Sequence, residues 1–172
     1  MGKAVGSKTF LVRLNAQLMP QDQLEQRAND RKDVEAVIVA FFEAGKNKDL
    51  TALADFHSSQ ESFTKFDENP PYTRQNSEEA FVHEQAAFAN ISDYRYEIDD
   101  LRTDLFGDAA VATFYLSFKG IFVNDYSFEG SPVGSRARVT MVLSRTNNHW
   151  KIAHEHFSRF PDWVSPKQDR KK

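Results

Sequence analysis

Apolar residues recur at two different periods along the chain, one typical of helices and one typical of strands. Between Pro20 and Gly45 they return every three or four residues, and Pro20 fits the start of a helix. This stripe consists of Val34, Val37, Ile38 and Phe41. The pattern predicts a first long helix that packs through one face and ends near Gly45.

Two further helices and a short strand are predicted before residue 91. Asp49 can cap a short helix, and ESFTKFDENPPY indicates a brief strand that two prolines end. Asn76 or Ser77 can cap a third helix, with acidic residues suited to the positive end of its dipole. The inner face of that helix is predicted to carry Phe81 and Phe88.

From Tyr94 onward the pattern changes to strands. The strand segments are YRYEIDDLRTD, AAVATFYLSFKG, SRARVTMVLSRT and HWKIAHEHFS. Three helices followed by a meander predict an α+β fold, with the helices packed on one side of a curved antiparallel sheet. We expect a single domain over residues 20–161, preceded by an N-terminal arm over 1–19 and followed by a basic tail over 162–172. The arm could form an extra strand, dock a partner or be disordered.

The segment RTNNHW predicts a two-residue hairpin turn, because asparagine tolerates left-handed backbone angles. If Thr146 faces His149, an uninterrupted ladder places Arg138 opposite Phe157. One face of the hairpin then carries Val139, Met141, Leu143, Trp150, Ile152, His154 and His156. The other face carries Arg138, Thr140, Val142, Ala153, Glu155 and Phe157.

Histidines are concentrated in HWKIAHEHFS, which raises the question of a metal site. His154 and His156 would share one face of a strand, as a metal site requires. Glu155 would point the other way and could not join them, and a helical His-Glu-x-x-His motif is missing. We therefore expect no metal and no other cofactor, and keep the His154–His156 pair as the alternative.

Composition excludes several functional classes. The chain has 172 residues, 40% of them hydrophobic, and a net charge of -3, so it lacks the basic surface that nucleic-acid binding requires. The sequence contains no cysteine, which excludes disulfides, iron–sulfur clusters and thiolate chemistry. No apolar run reaches the ~18 residues of a membrane-spanning helix. We expect a cytoplasmic protein without nucleic-acid or membrane partners.

A resemblance to a known superfamily is carried by two segments of the sequence. These segments are SFTKFDENPPY and RVTMVLSRTNNHWKIAHEHFS. Together with the order of elements, they resemble the nuclear transport factor 2-like superfamily, in particular its SnoaL-like and ketosteroid-isomerase-like branches, over about residues 33–161. The resemblance implies a cone-shaped α+β fold in which helices close the concave side of the sheet into a pocket. The ending is also similar to the association domain of calmodulin-dependent kinase, which oligomerises and is not a catalyst.

The resemblance also implies candidate site residues. The isomerase branch has a catalytic Asp after the first strand, and Asp67 stands at the matching position; a turn-capping role is the alternative for Asp67. The isomerase Tyr of the first helix is replaced by Phe41 and Phe42, and its strand Asp by Thr140. Ketosteroid isomerase activity itself is therefore not implied.

The parity of the hairpin assigns further residues to the concave wall. The resemblance places Arg138, Thr140, Glu155 and Phe157 there, joined by Tyr115. Asp67 or Glu155 would be the catalytic base, and Arg138 with Tyr115 would stabilise an oxyanion on a small, largely apolar carbonyl compound. The alternatives are a structural Arg138–Glu155 ion pair and a non-catalytic ligand-binding or oligomerisation module. If the helices instead cover the more apolar face, the two faces exchange roles.

The opposite face then predicts the quaternary structure. It would carry Trp150, Ile152, Phe114, Leu116 and Phe118, and a patch this apolar usually marks a contact. We expect a homodimer through the sheet, with His154 and His156 in or beside the interface. Acid would charge these histidines and weaken the dimer below pH ~6.

Overall fold

The structure is a computed structural model that describes residues 20–58, 63–124 and 126–160. The predicted N-terminal arm, residues 1–19, and the predicted basic tail, residues 162–172, lie outside the described residues. None of the described helices is long and apolar enough to cross a membrane.

Three helices and five strands make up the described chain. The helices are α1 (Gln21–Lys46), α2 (Leu50–Phe56) and α3 (Ser77–Asn90). The strands are β1 (Thr64–Phe66), β2 (Ile91–Phe106), β3 (Ala109–Val123), β4 (Gly130–Thr146) and β5 (His149–Arg159). The predicted order of helices, short strand and long meander is confirmed.

The five strands form one sheet in the order β1-β5-β4-β3-β2. The meander from β2 to β5 is antiparallel, whereas β1 pairs with β5 in parallel, so the sheet is mixed. The helices pack on one face of this sheet. The α+β prediction is confirmed, with β1 as a parallel edge strand.

Helix α1 is held on the sheet by its apolar stripe and by two arginines. Four large side chains of the helix are buried: Val34, Ile38, Phe41 and Phe42. Nearer its start, the guanidinium of Arg27 donates to the carbonyl of Leu105 at 3.2 Å, and that of Arg31 donates to the carbonyl of Thr103 at 3.0 Å. The polar first half of α1 is thereby tied to the end of β2.

The predicted caps fix where α2 and α3 begin. Asp49 accepts a hydrogen bond from the backbone N–H of Ala52 at 3.0 Å. Asn76 and Glu79 form a capping box, in which each side chain accepts a hydrogen bond from the other residue's backbone N–H. Helix α3 therefore starts at a fixed point after the loop that follows β1.

Bulges bend the sheet toward the helices. In β2 the register shifts at two places, where Asp93 and Asp100 each have a φ of 52°. The carboxylate of each aspartate pairs with an arginine two residues later, at 3.0 Å for Arg95 and 3.1 Å for Arg102. A bulged strand twists and bends, so the sheet has a concave side for the helices to cover.

The predicted hairpin turn is confirmed, but the predicted ladder is wrong beyond it. Asn147 and Asn148 are both left-handed, and Thr146 pairs with His149. A register shift then occurs at Ala153, so that Arg138 pairs with Ser158 rather than with Phe157. One extra residue moves every later side chain to the opposite face of the sheet. The side chains of β5 after Ala153 therefore point to the faces opposite to those predicted.

The face that the helices cover is the apolar one, as the alternative assignment expected. Trp150 and Ile152 are buried in the core, together with Phe114 and Leu116 of β3. The expectation that these residues form an exposed dimer surface is therefore wrong. The physical reason is that the stronger apolar face of the sheet gains more by packing under the helices.

Candidate functional site

A cavity of about 360 Å³ lies between α1, α3 and the concave side of the sheet, and we call it the cone cavity. Its walls are largely aromatic and aliphatic. They include Phe41, Phe42, Phe88, Tyr94, Leu116, Phe118 and Phe157. One end is polar and is lined by Lys65, Asp67, Glu68, His83 and Glu84. Apolar walls with a few convergent polar groups are typical of small-molecule sites.

Behind that polar end lies a cluster of four charged or titratable side chains, which we call the buried ion cluster: His57, Lys65, Glu84 and Glu155. The Lys65 ammonium lies 2.7 Å from Glu84 Oε1 and 3.1 Å from Glu155 Oε2. His57 Nε2 lies 3.2 Å from Glu155 Oε1 and 3.7 Å from Glu84 Oε2. The Lys65 ammonium is also 3.6 Å from Asp67 Oδ2. All four side chains of the cluster are at most 7% exposed.

Three elements and one loop bring these groups together. Lys65 points inward because it lies two residues after buried Phe63, on the same face of the extended chain, and Glu84 lies on the inner face of α3 one turn after buried Ala80. Glu155 reaches the interior only because of the bulge at Ala153. His57 follows α2.

Burial and charge set the protonation of the two glutamates in opposite directions. Burial raises the pKa of Glu155, but the Lys65 ammonium and the hydrogen bond from His57 outweigh burial and lower that pKa to about 2. Burial also raises the pKa of Glu84, and there the Lys65 ammonium does not compensate. Glu155 is thus the ionised partner, and Glu84 is the carboxyl that holds a proton more tightly than usual.

The two cations of the cluster are stabilised as charged groups. Burial lowers the pKa of Lys65, but the charges of Glu155 and Glu84 outweigh burial and raise it. Burial likewise lowers the pKa of His57, and its hydrogen bond to Glu155 outweighs burial and raises it. The cluster therefore favours protonated His57 and charged Lys65.

The structure brings three of the predicted site residues to this region. Asp67 and Phe157 line the cone cavity. Glu155 is fully buried behind the cavity wall, where its carboxylate contacts Lys65 and His57. Asp67 also has the turn role that was its alternative, because its Oδ1 accepts hydrogen bonds from the backbone and side chain of Asn69.

Arg138, Thr140 and Tyr115 do not join them, which corrects the predicted concave wall. They line a shallow depression on the outer, convex face of the sheet. The cause is the register shift at Ala153, because the uninterrupted ladder had placed Arg138 and Glu155 on the same face. The alternative Arg138–Glu155 ion pair is excluded for the same reason.

The histidine pair of the metal alternative also lies on the outer face. His154 and His156 both pack against the ring of Phe66, and His154 Nδ1 is 2.8 Å from Thr64 Oγ1. Within residues 20–58, 63–124 and 126–160, the only His and carboxylate side chains close enough to share a metal ion are His57, Glu84 and Glu155. Lys65 already supplies a cation to both glutamates, so this group needs no metal to balance its charge.

Four important residues were not predicted from the sequence: His57, Lys65, Glu84 and Tyr94. Two of them carried a signal, because Lys65 lies two residues after Phe63 and so shares its face of a strand, and Glu84 lies four residues before Phe88 on an apolar helix face. A charged residue at an inward-facing position needs an internal partner. Tyr94 and His57 carried no comparable signal.

Tyr94 places a hydroxyl group in the aromatic part of the cavity wall. Its ring packs against Phe88, Tyr96 and Phe118, and burial raises the pKa of the phenol. Among the described residues, none forms a hydrogen bond with the Tyr94 hydroxyl. The cavity therefore combines an ionisable end with a phenol that stays protonated and can donate to a ligand oxygen.

Comparison with known proteins supports the fold. The sequence profile of a family described as "SnoaL-like domain" matches residues 34–162. No curated protein matches the sequence.

Solved structures share the architecture at low sequence identity. A candidate dehydratase of the NTF2-like family from Streptomyces avermitilis is 20% identical with a TM-score of 0.67, covering 78% of this chain and 98% of that one. An NTF2-like superfamily protein from Salmonella enterica is 15% identical with a TM-score of 0.66, covering 85% and 99%. The association domain of calcium/calmodulin-dependent protein kinase II from C. elegans is 16% identical with a TM-score of 0.62, covering 78% and 98%.

The raised pKa of His57 predicts a pH-dependent stability. The groups that face its ring are Glu155, Glu84 and Lys65, and the folded protein holds the His57 proton more tightly than the unfolded chain does. The resulting stabilisation is fully present below pH 6.5 and is lost as pH rises through the folded pKa. Urea denaturation should therefore show a loss of stability from pH 6 to pH 8.5 that is smaller in His57→Gln.

The matched control is His149→Gln, because His149 is exposed at the β4–β5 turn. This variant should keep the wild-type pH dependence. An identical pH dependence in wild type and His57→Gln would contradict the assigned protonation.

Proposed function

The chain belongs to the SnoaL-like domain family of the nuclear transport factor 2-like superfamily, and we propose that it binds a small, largely apolar molecule in the cone cavity and moves protons on it. The observation that carries this proposal is the cavity itself, whose aromatic walls end in titratable groups with displaced pKa values. Perturbed carboxyl groups in a cleft are typical of acid–base sites. The reaction class is isomerisation, hydration, dehydration or cyclisation.

The residues divide between acid and base roles. Asp67 lines the cavity with its Oδ2 3.6 Å from the Lys65 ammonium, and we assign it as the base. Glu84 lines the same end and holds a proton tightly, so we assign it as the acid. Tyr94 is placed to donate a hydrogen bond to a substrate oxygen.

Glu155 acts through its neighbours in this proposal. It does not line the cavity, and its two oxygens contact His57 and Lys65. By keeping Lys65 charged and in place, Glu155 sets the charge beside Asp67 and Glu84. Glu155 is therefore a positioning residue and not the base.

A non-catalytic ligand-binding module is the second candidate, and the engagement of Lys65 favours it. The ammonium is held by two carboxylates behind the wall, so the cluster has a structural explanation that requires no reaction. A ligand could then bind in the cavity unchanged.

The outer face of the sheet supports a homodimer on grounds of charge. The exposed side of β2 is acidic, with Glu97 and Asp104, and the same face of β4 carries Arg136 and Arg138. A twofold axis through the sheet would set each acidic edge against the basic strand of the other copy. We propose this arrangement as the oligomeric form.

Acid–base chemistry predicts exchange of acidic protons on a bound ketone. In D₂O, the wild type should catalyse deuterium incorporation next to the carbonyl of small aryl ketones, measured by mass spectrometry. Removing the base in Asp67→Asn should slow this exchange by ~10²–10⁴-fold. Asp22→Asn, at an exposed position in the first turn of α1, should exchange at the wild-type rate.

Binding of the same ketones without exchange in the wild type would exclude the catalytic proposal and leave the binding module. Exchange that Asp67→Asn does not slow would remove Asp67 as the base.

The dimer predicts a change in sedimentation when the basic strand loses its charge. The wild type should sediment as a dimer at neutral pH and micromolar concentration, and Arg138→Glu should shift it to the monomer because like charges would then meet. Lys32→Glu, on the exposed side of α1, should remain a dimer. A monomeric wild type, or a dimeric Arg138→Glu, would contradict this interface.

A further inference from the structure

The entrance of the cone cavity is marked by lining residues that are also exposed to solvent. These residues are Asn69, Pro70, His83, Ala86 and Ala87. Phe88 follows them on α3, is half-buried and lines the cavity as well. The ring of Phe88 therefore stands beside the entrance that a ligand would use.

The position of this ring depends on the absence of a side chain at Gly45. Gly45 is buried near the end of α1. A Cβ atom at Gly45 would lie 2.4 Å from Cε1 and 2.4 Å from Cζ of Phe88, far inside the ~3.5–4.0 Å of ordinary carbon–carbon contact. The bare backbone of Gly45 thus leaves a place for the ring against α1 that a larger residue would fill.

Other contacts hold the two helices and the ring at this point. The Lys48 ammonium, which follows α1, donates to the carbonyl of Ala89 near the end of α3 at 2.9 Å. On another side, the Phe88 ring meets the ring of Tyr94 edge to face, with the ring centres 5.3 Å apart. A ring displaced from Gly45 is blocked by Tyr94, and outward movement would expose it to water, so the cavity is where it would go.

The volume of the cavity indicates how large a ligand it accepts while Phe88 keeps this position. A cavity of ~150 Å³ lined by apolar side chains accommodates one benzene ring. The cone cavity has a volume of about 360 Å³. That volume suits a two-ring body with a carbonyl group, and a third ring would meet Phe88.

We propose that Gly45 and Phe88 form a size filter for the cone cavity. The ring of Phe88 closes one side of the entrance, and Gly45 sets how far that ring stands back from the ligand. The ligand class is a planar carbonyl compound with a two-ring apolar body. This proposal rests on the proposed small-molecule site and adds the size of its ligand. Phe88 determines specificity directly, and Gly45 is a positioning residue that acts through Phe88.

Three ketones with one, two and three fused rings test the size filter by equilibrium dialysis with the full chain: acetophenone, 2-acetylnaphthalene and 2-acetylphenanthrene. The wild type should bind 2-acetylnaphthalene at least about tenfold more tightly than acetophenone, because the second ring buries further apolar surface. It should bind 2-acetylphenanthrene more weakly than 2-acetylnaphthalene, because the third ring meets Phe88.

Variants at the two positions assign this preference to the filter. Gly45→Ala moves the ring into the cavity, so it should lower affinity for 2-acetylnaphthalene about tenfold and leave affinity for acetophenone unchanged. Phe88→Ala removes the ring and should make 2-acetylphenanthrene the tightest ligand of the three. Val39→Ala, at an exposed position of α1, is the control and should bind all three ketones as the wild type does.

The double variant Gly45→Ala/Phe88→Ala tests whether Gly45 acts through the ring. The three atoms nearest to a Cβ at Gly45 all belong to Phe88, so without the ring the added methyl group displaces nothing of this contact. The double variant should bind the ketones as Phe88→Ala does. Because alanine is the better helix former, Gly45→Ala should also raise the urea midpoint more in the Phe88→Ala background than in the wild type.

The possible failures are distinguishable. If 2-acetylphenanthrene binds the wild type as tightly as 2-acetylnaphthalene, or if Phe88→Ala does not improve its binding, the filter is wrong and the small-molecule site stands. An equal effect of Gly45→Ala on ketone affinity in both backgrounds would also overturn the filter. If Gly45→Ala does not fold, the order of the ketones in Phe88→Ala still decides. If none of the three ketones binds the wild type, both the filter and the proposed small-molecule site are wrong.

Discussion

The Lys65 ammonium, held between the carboxylates of Glu84 and Glu155, is the interaction on which the closed end of the cone depends. It joins the short edge strand β1 to the helix that follows it, α3, and to the last strand, β5. Burying these charges is unfavourable unless each keeps a partner, and removing one partner of such a pair typically destabilises a protein by ~3–5 kcal/mol. The short β1, with only three residues, is therefore anchored as much by charge as by its ladder.

A single bulge decides which side chains take part in this interaction. Without the register shift at Ala153, Glu155 would share the outer face with Arg138, and the histidines that flank it would point inward. With the shift, the glutamate meets Lys65 while His154 and His156 contact Phe66 on the convex side. The bulge thus separates a charged interior site from a histidine-bearing surface within three consecutive residues.

Local features of the fold could be predicted from the sequence because their causes are local. The caps at Asp49 and Asn76, the helical stripe of α1 and the left-handed turn at Asn147 depend on residues close in sequence. The bulge could not be predicted in the same way, since Ala153 carries no turn signal. Assigning alternate residues of a strand to opposite faces also assumes a ladder without an extra residue.

The candidate site was therefore predicted only in part. Asp67 could be placed from its position after a strand, and Phe157 reached the cavity because the bulge turned it inward together with Glu155. The same bulge explains why Arg138 was predicted on the wrong face of the sheet. The partners of Lys65 depend on how α3 and β5 meet β1, which is a tertiary arrangement that no local pattern encodes.

These charges also link the fold to its proposed use. The Lys65 ammonium and His57 lower the pKa of Glu155, whereas burial raises the pKa of Glu84, so neighbouring carboxyl groups at one end of an apolar cavity differ in proton affinity. Such a difference suits proton transfer. The proposed function depends on Glu155 lying on the inner side of the sheet beside Lys65.

Double-mutant cycles measured by urea denaturation test that placement most directly. One cycle combines Lys65→Met with Glu155→Gln, and the other combines Arg138→Met with Glu155→Gln. The structure predicts a coupling of ~1–3 kcal/mol for Lys65 with Glu155 and about zero for Arg138 with Glu155, because only the first pair is in contact. Coupling between Arg138 and Glu155, with none between Lys65 and Glu155, would contradict the account.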